Sequence, residues 1–181
     1  MALAAFAGFA VLGLSTAVSP AFLGRVLSVH SEAVVGLVVF AVFAASTGGQ
    51  LLLEVAPDGL ALPAGCGGLI AGMAVFAFGL ADSSLAGLVV GAMMAGAGQG
   101  LSFRAGLAGV NQGSPPGQRA EVASSFFVVA YLAISVPVIG EGLLAQASTL
   151  RTAGLLFAGL WRRWLSWCWR CWRGRNPADL R

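Results

Sequence analysis

The chain has 181 residues, 58% of them hydrophobic and only 9% charged, with a mean hydropathy of +0.88. A soluble domain carries about a quarter charged residues and under half apolar ones, so this composition excludes a water-covered globular surface. The net charge of +3 hides an asymmetry: residues 161–181 hold six arginines and one aspartate, whereas residues 1–160 hold four arginines and six acidic residues.

Breaking the sequence at charges, prolines and polar clusters gives apolar spans over residues 3–23, 33–53, 62–81, 85–109 and 122–145, with a sixth beginning near Leu150. Runs of about 20 apolar residues match the roughly 30 Å of hydrocarbon in a bilayer. The first run lacks a basic leader and is followed by several equally long ones, which argues against a cleaved signal. In hydrocarbon each segment must satisfy its own backbone polar groups, and these runs show no barrel-type alternation, so they are read as helices. The expected fold is all-α: a polytopic helical membrane bundle of about six spans over residues 1–160, followed by a basic tail over 161–181.

The expected connections are short. Arg25 and His30 lie in the first, Glu54, Pro57 and Asp58 in the second, and Asp82-Ser83-Ser84 forms the third. The longest, residues 110–121, contains Asn111, Pro115, Pro116 and Arg119. In the fourth span Gly87, Gly91, Ala95, Gly98, Ser102, Gly106 and Gly109 recur every three or four residues. Side chains this small let a neighbouring backbone approach closely, so Gly91, Gly98 and Gly106 are expected to pack against another helix. Codon bias toward Gly and Ala is the plainer account of the same residues.

Catalytic and cofactor chemistry finds little support. Gly96-Ala97-Gly98-Gln99-Gly100 has no preceding strand and no Lys-Ser/Thr after it, as a phosphate loop requires. The lone histidine, His30, falls in a connection, and no nucleophile and base converge by spacing. Cys66, Cys168 and Cys171 suit neither a disulfide framework nor a metal site. The chain is therefore not expected to be an enzyme, to hold a metal or cofactor, or to bind nucleic acid; its expected surroundings are the lipid bilayer of the cell membrane.

Polar side chains inside a span are costly and by default mark a pathway or a ligand contact. Gln50, Gln99, Arg104 and Tyr131 are the candidates here. Gln99 is three residues from Ser102, hence expected on the same face, where it bonds either a solute or a neighbouring helix. Arg104 is about 7 to 8 Å from its span's end and within snorkelling reach of the headgroups. Glu141 is placed near an interface, and Pro137 is expected to kink the fifth span near Ala133.

The stretch from Gly98-Gln99-Gly100-Leu101-Ser102-Phe103-Arg104 through Ser114-Pro115-Pro116 to Arg119-Ala120-Glu121-Val122-Ala123-Ser124-Ser125 resembles the major facilitator superfamily, at the passage from its tenth to its eleventh helix. The run from Tyr131 to Gly142, with Pro137 and Gly140, is similar to the eleventh helix, and Ser19-Pro20-Ala21-Phe22-Leu23-Gly24-Arg25 looks like the end of the seventh. The resemblance covers residues 1–160 and implies the carboxy-terminal half of a twelve-helix secondary transporter. Its partners would be a small solute and either an amino-terminal half or a second copy, closing a cavity by rocking. It further implies that Gln50, Gln99 and Tyr131 contact solute. The connection at 54–61 departs from the family in carrying no arginine. The alternative expectation is a small non-transporting membrane protein that associates through its glycine faces.

All five tryptophans, Trp161, Trp164, Trp167, Trp169 and Trp172, fall in the tail among its arginines. Structurally this is a patch for the headgroup layer, Trp at the interface and Arg on phosphates. Genetically it reads as a shifted frame, because neighbouring-frame codons recover the apolar residues of a sixth span. We expect the second, and with it a truncated transporter fragment.

Overall fold

The computed structural model describes residues 8–13, 16, 23–24, 31–54, 60–147 and 159. Among them there is no strand, and four long helices carry the fold: α1 (Glu32–Leu51), α2 (Ala61–Ala81), α3 (Leu85–Gln112) and α4 (Arg119–Ala147). Short 3-10 turns, Leu52–Glu54 and Pro116–Gln118, follow α1 and precede α4. All four helices are long and apolar enough to cross a membrane. Of the expected first span, residues 8–13 are described and helical. The expected sixth span and the arginine–tryptophan tail lie outside the described residues, apart from residue 159.

The helices end where backbone chemistry ends them rather than where polarity begins. α3 continues through Val110, Asn111 and Gln112 and stops at Gly113, so the expected 12-residue connection shrinks to a proline turn. Charged and amide side chains at a span's end reach the headgroups while their backbone stays helical, whereas glycine and proline break the ladder. α4 likewise begins at Arg119, just after the turn that carries Pro116, and runs through Pro137 to Ala147.

The turn between α2 and α3 is tight. Asp82 N–H donates to the Phe78 carbonyl and Ser84 N–H to the Gly79 carbonyl, each at 2.9 Å, with Ser83 left-handed at φ 52° between them. This is the pairing that closes a helix on a left-handed residue. Ser84 then caps α3, its hydroxyl accepting from the Gly87 N–H at 3.2 Å.

α3 is the central helix: 56% of its most apolar window is buried, against 22% for α1 and for α4. Its core partners are Leu69, Met73, Phe76 and Leu80 of α2, Val42 of α1, and Val11 and Leu12 of the first helical segment. The expected glycine stripe is in use. A Cβ at Gly91 would strike the Phe76 backbone, and one at Gly98 would lie 2.6 Å from the Leu69 nitrogen. Gly106 is buried on the same helix. α2 answers with Gly65, Gly72 and Gly79 against Ser102, Ala95 and Leu88. Without a hydrophobic force between helices in lipid, this backbone-to-backbone contact supplies the dispersion that holds α2 to α3.

A second small-residue face, not anticipated from the sequence, joins α3 to α1. Gly96 faces the Val42 carbonyl, Gly100 the Ser46 carbonyl, and Gly49 of α1 the Ala97 carbonyl. α4 is held differently. Phe103 of α3 stacks with Phe9 (centroids 5.1 Å apart, rings at 88°) and with Phe126 of α4 (5.8 Å), while Gly13 sits against Ile134 and Val138.

Candidate functional site

The structure does not gather the four expected site residues into one place. It distributes them over a buried polar pair, a clamp at one helix end, and an open face of α4.

The pair consists of Gln99 and Ser46. The Ser46 hydroxyl donates to Gln99 Oε1 at 2.6 Å, and the residues are 6% and 3% exposed. Gly8 lies over the glutamine stem, where a Cβ would come 2.9 Å from Gln99 Cγ. Gln99 is thus enclosed by α1 and the first helical segment, in the role of a tie between helices. Ser102, three residues on and also buried, does not join this pair but lies against Gly65 of α2. Among the described residues the Ser102 hydroxyl is buried without a conventional hydrogen-bond partner, and it lies where a Cβ at Gly65 would strike it, against the Gly65 Cα. Contacts of this Cα–H···O kind recur where helices approach closely.

The clamp is built by Arg104. Its guanidinium donates to the Gln50 carbonyl at 2.9 Å and to Glu54 Oε1 at 3.0 Å. Arg104 and Glu54 are both partly exposed, and the arginine lies eight residues before the end of α3 at Gln112. A cation at the last carbonyls of α1 also complements that helix's dipole. Gln50 enters through its backbone carbonyl rather than through the side chain expected to meet solute.

The open face belongs to α4. Phe126, Ala130, Ala133 and Pro137 turn inward at intervals of three and four residues. Opposite them, Ser124, Tyr131, Ser135 and Gly142 are exposed, Tyr131 to 68%. Residues 124, 131, 135 and 142 fall within one narrow arc of the helix, because their spacings of seven and four bring them back to nearly the same direction. Tyr131 stands 12 residues from one end of the candidate span Arg119–Leu144 and 13 from the other, which places its phenol at mid-span. Neither Tyr131 nor Ser135 has a side-chain hydrogen-bond partner among the described residues, whereas Ser124 bonds back to the Ala120 carbonyl at 2.8 Å. Beside this strip, Leu132, Val136 and Leu143 form an exposed, wholly apolar flank.

Sequence reasoning found Gln99, Arg104 and Tyr131 as polar side chains inside spans. It missed Ser46 and Glu54, their partners 53 and 50 positions away, and Ser135, whose signal was its spacing of four from Tyr131. Comparison of the chain with protein-family models, with curated proteins and with solved structures finds no match.

Proposed function

We propose that the chain is part of a secondary transporter of the major facilitator type, a multi-pass protein of the cell membrane that moves a small solute. The observation that carries this reading is Tyr131, a phenol exposed at the middle of a helix long and apolar enough to cross a membrane, with no hydrogen-bond partner among the described residues. Hydrocarbon accepts no hydrogen bond, and an unpaired hydroxyl there costs on the order of 1–3 kcal/mol. An intramembrane polar group of this kind marks a pathway by default. Ser135 one turn further on and Ser124 two turns back extend the same polar strip, which turns away from lipid and toward water, solute or another bundle.

In this reading Tyr131 and Ser135 meet the solute, and Gln99 and Arg104 hold the frame that presents them. Gln99 joins α1 to α3 inside the bundle, and Arg104 does so at its edge. The α3 glycines Gly91, Gly96, Gly98 and Gly100 are engaged within the chain, against α1 and α2, so that helix does not offer them for self-association.

The test is flux. The full chain is reconstituted in proteoliposomes and offered a panel of labelled sugars, amino acids and organic ions under proton and sodium gradients. Loss of one solute hydrogen bond, about 1–2 kcal/mol, predicts a roughly tenfold fall in transport for Tyr131→Phe. Leu132→Ala, on the apolar flank, should leave it unchanged. The reading fails if no solute moves, or if the two variants behave alike.

A further inference from the structure

We propose that the exposed face of α4 takes an uncharged polyhydroxylated solute of the carbohydrate class, with the rings of Phe127 and Tyr131 against its C–H face and the hydroxyls of Tyr131 and Ser135 on its own hydroxyls. This rests on the pathway reading of that face and names what passes along it.

A charge inside the membrane needs a partner, and the described residues of this face supply none. The charged side chains described within the four spans are Glu32, Glu54, Arg104, Arg119 and Glu121. Glu32, Glu54 and Arg119 are terminal residues of their spans and Glu121 is two residues in, while Arg104 is held by Glu54 at 3.0 Å. In sequence, Glu141 stands three residues before the end of the fourth span. An ion brought to the middle of α4 therefore loses hydration without gaining a counter-charge among the described residues, whereas a neutral solute gives up only hydrogen bonds.

The face offers rings instead. Phe127 and Tyr131 stand one turn apart on α4, 41% and 68% exposed, so their side chains are neighbours. The Phe127 ring is held by two others: its centroid lies 6.1 Å from that of Phe103 on α3 and 6.3 Å from that of Phe126. A ring held in this way presents contact area at little entropic cost. The faces of aromatic rings are negative, and the C–H bonds of a sugar ring, polarised by the neighbouring oxygens, carry the matching positive charge.

Hydroxyls flank the rings along the same side of the helix. Ser135 follows Tyr131 by one turn and Ser124 precedes Phe127 by less than one, so the set extends about 16 Å along the axis, room for one or two sugar rings. The Ser124 hydroxyl donates to the Ala120 carbonyl at 2.8 Å and keeps its lone pairs as acceptors. Tyr131 and Ser135, without side-chain partners among the described residues, are free both to donate and to accept. A solute that matches this set donates and accepts at closely spaced points beside an apolar face, as a carbohydrate does. A flat aromatic solute has the face without the row of hydroxyls.

The test uses the full chain with Cys66, Cys168 and Cys171 replaced and Val128→Cys as the reporter, labelled in membranes with an impermeant maleimide. Val128 is exposed beside Phe127 and brings no hydroxyl to the site. Labelling alone tests the pathway reading: if Val128→Cys stays unlabelled, water does not reach the face, and that reading and this proposal both fall. Where it labels, glucose or maltose at about ten times its dissociation constant should slow the reaction roughly tenfold, since protection follows one plus the ratio of solute to that constant. Glucuronate, and glucosamine held as its cation by mildly acidic buffer, keep the sugar ring and add one charge; at the same concentrations they should have no effect. Adding Tyr131→Phe, which keeps the ring and removes the hydroxyl, should raise the glucose concentration for half-protection roughly three- to tenfold. An unchanged value overturns the place of that hydroxyl in the site. Labelling that glucose and maltose leave unaltered, or that the charged sugars slow as much, overturns the carbohydrate assignment and leaves the pathway reading standing.

Discussion

Ser46 and Gln99, 53 positions apart in sequence, share a 2.6 Å hydrogen bond between α1 and α3 in which both residues are almost fully buried. The bond exists because Gly96 and Gly100 bring α3 against the Val42 and Ser46 carbonyls, close enough for a serine to reach a glutamine. Interhelical hydrogen bonds in membranes contribute about 0.6 to 2 kcal/mol, since the unfolded chain also finds partners. A double-mutant cycle of Ser46→Ala and Gln99→Leu, read by unfolding in detergent, should give a coupling in that range. Each single variant should remain folded. Zero coupling would mean that the pair does not tie the helices.

Arg104 works through two acceptors, and their worth should separate. Glu54→Gln removes an exposed ion pair, which typically contributes about 0–1 kcal/mol and fades with salt. Arg104→Ala also removes the charged donor from the Gln50 carbonyl, which keeps the Leu52 N–H, and should cost about 1–2 kcal/mol, part of it insensitive to salt. Thermal unfolding in low and high salt checks this. Equal effects of the two variants at both salt concentrations would contradict it.

The glycines divide into two classes. At Gly91 and Gly100 a Cβ collides with the backbone of Phe76 or with the Ser46 carbonyl, and backbone gives way poorly. Gly91→Ala and Gly100→Ala should each destabilise by at least about 1–3 kcal/mol, the usual cost of overpacking. At Gly48 and Gly67 a Cβ meets nothing within 4 Å. Alanine there should be neutral, or stabilising by up to about 1 kcal/mol through helix propensity. Melting temperatures of the four variants in one detergent settle the contrast.

Ser83 holds φ at 52° to close α2, a conformation that costs a residue with a Cβ roughly 1 kcal/mol. Ser83→Gly should therefore raise stability by about 0.5–1 kcal/mol, measured by the same melts, and Ser83→Val should lower it.

The sequence allowed the helical class, four of the expected spans and the α2-facing glycine stripe to be read, because composition and three-to-four spacing are local signals. Span ends were less legible. Polarity at Asn111 and Gln112 marks the headgroup layer but leaves the helix intact, so the chain turns only at Gly113. The second glycine face, Gly96 and Gly100, was hidden because in a helix this rich in small residues any stripe overlaps the next. The polar pairings were illegible for a different reason. Ser46 and Glu54 sit on α1, and nothing local to Gln99 or Arg104 points to them. Tyr131 was legible as an anomaly, but only the fold shows it facing outward.

The central claim is that one side of α4 faces water and the other faces lipid. Its most direct test is a cysteine scan of residues 124–143 in the cysteine-free full chain, labelled in membranes with an impermeant maleimide. The account predicts labelling at positions 124, 131, 135 and 142 and none at 132, 136 and 143. Uniform protection along the helix, or labelling that peaks at Leu132 and Val136, would contradict it.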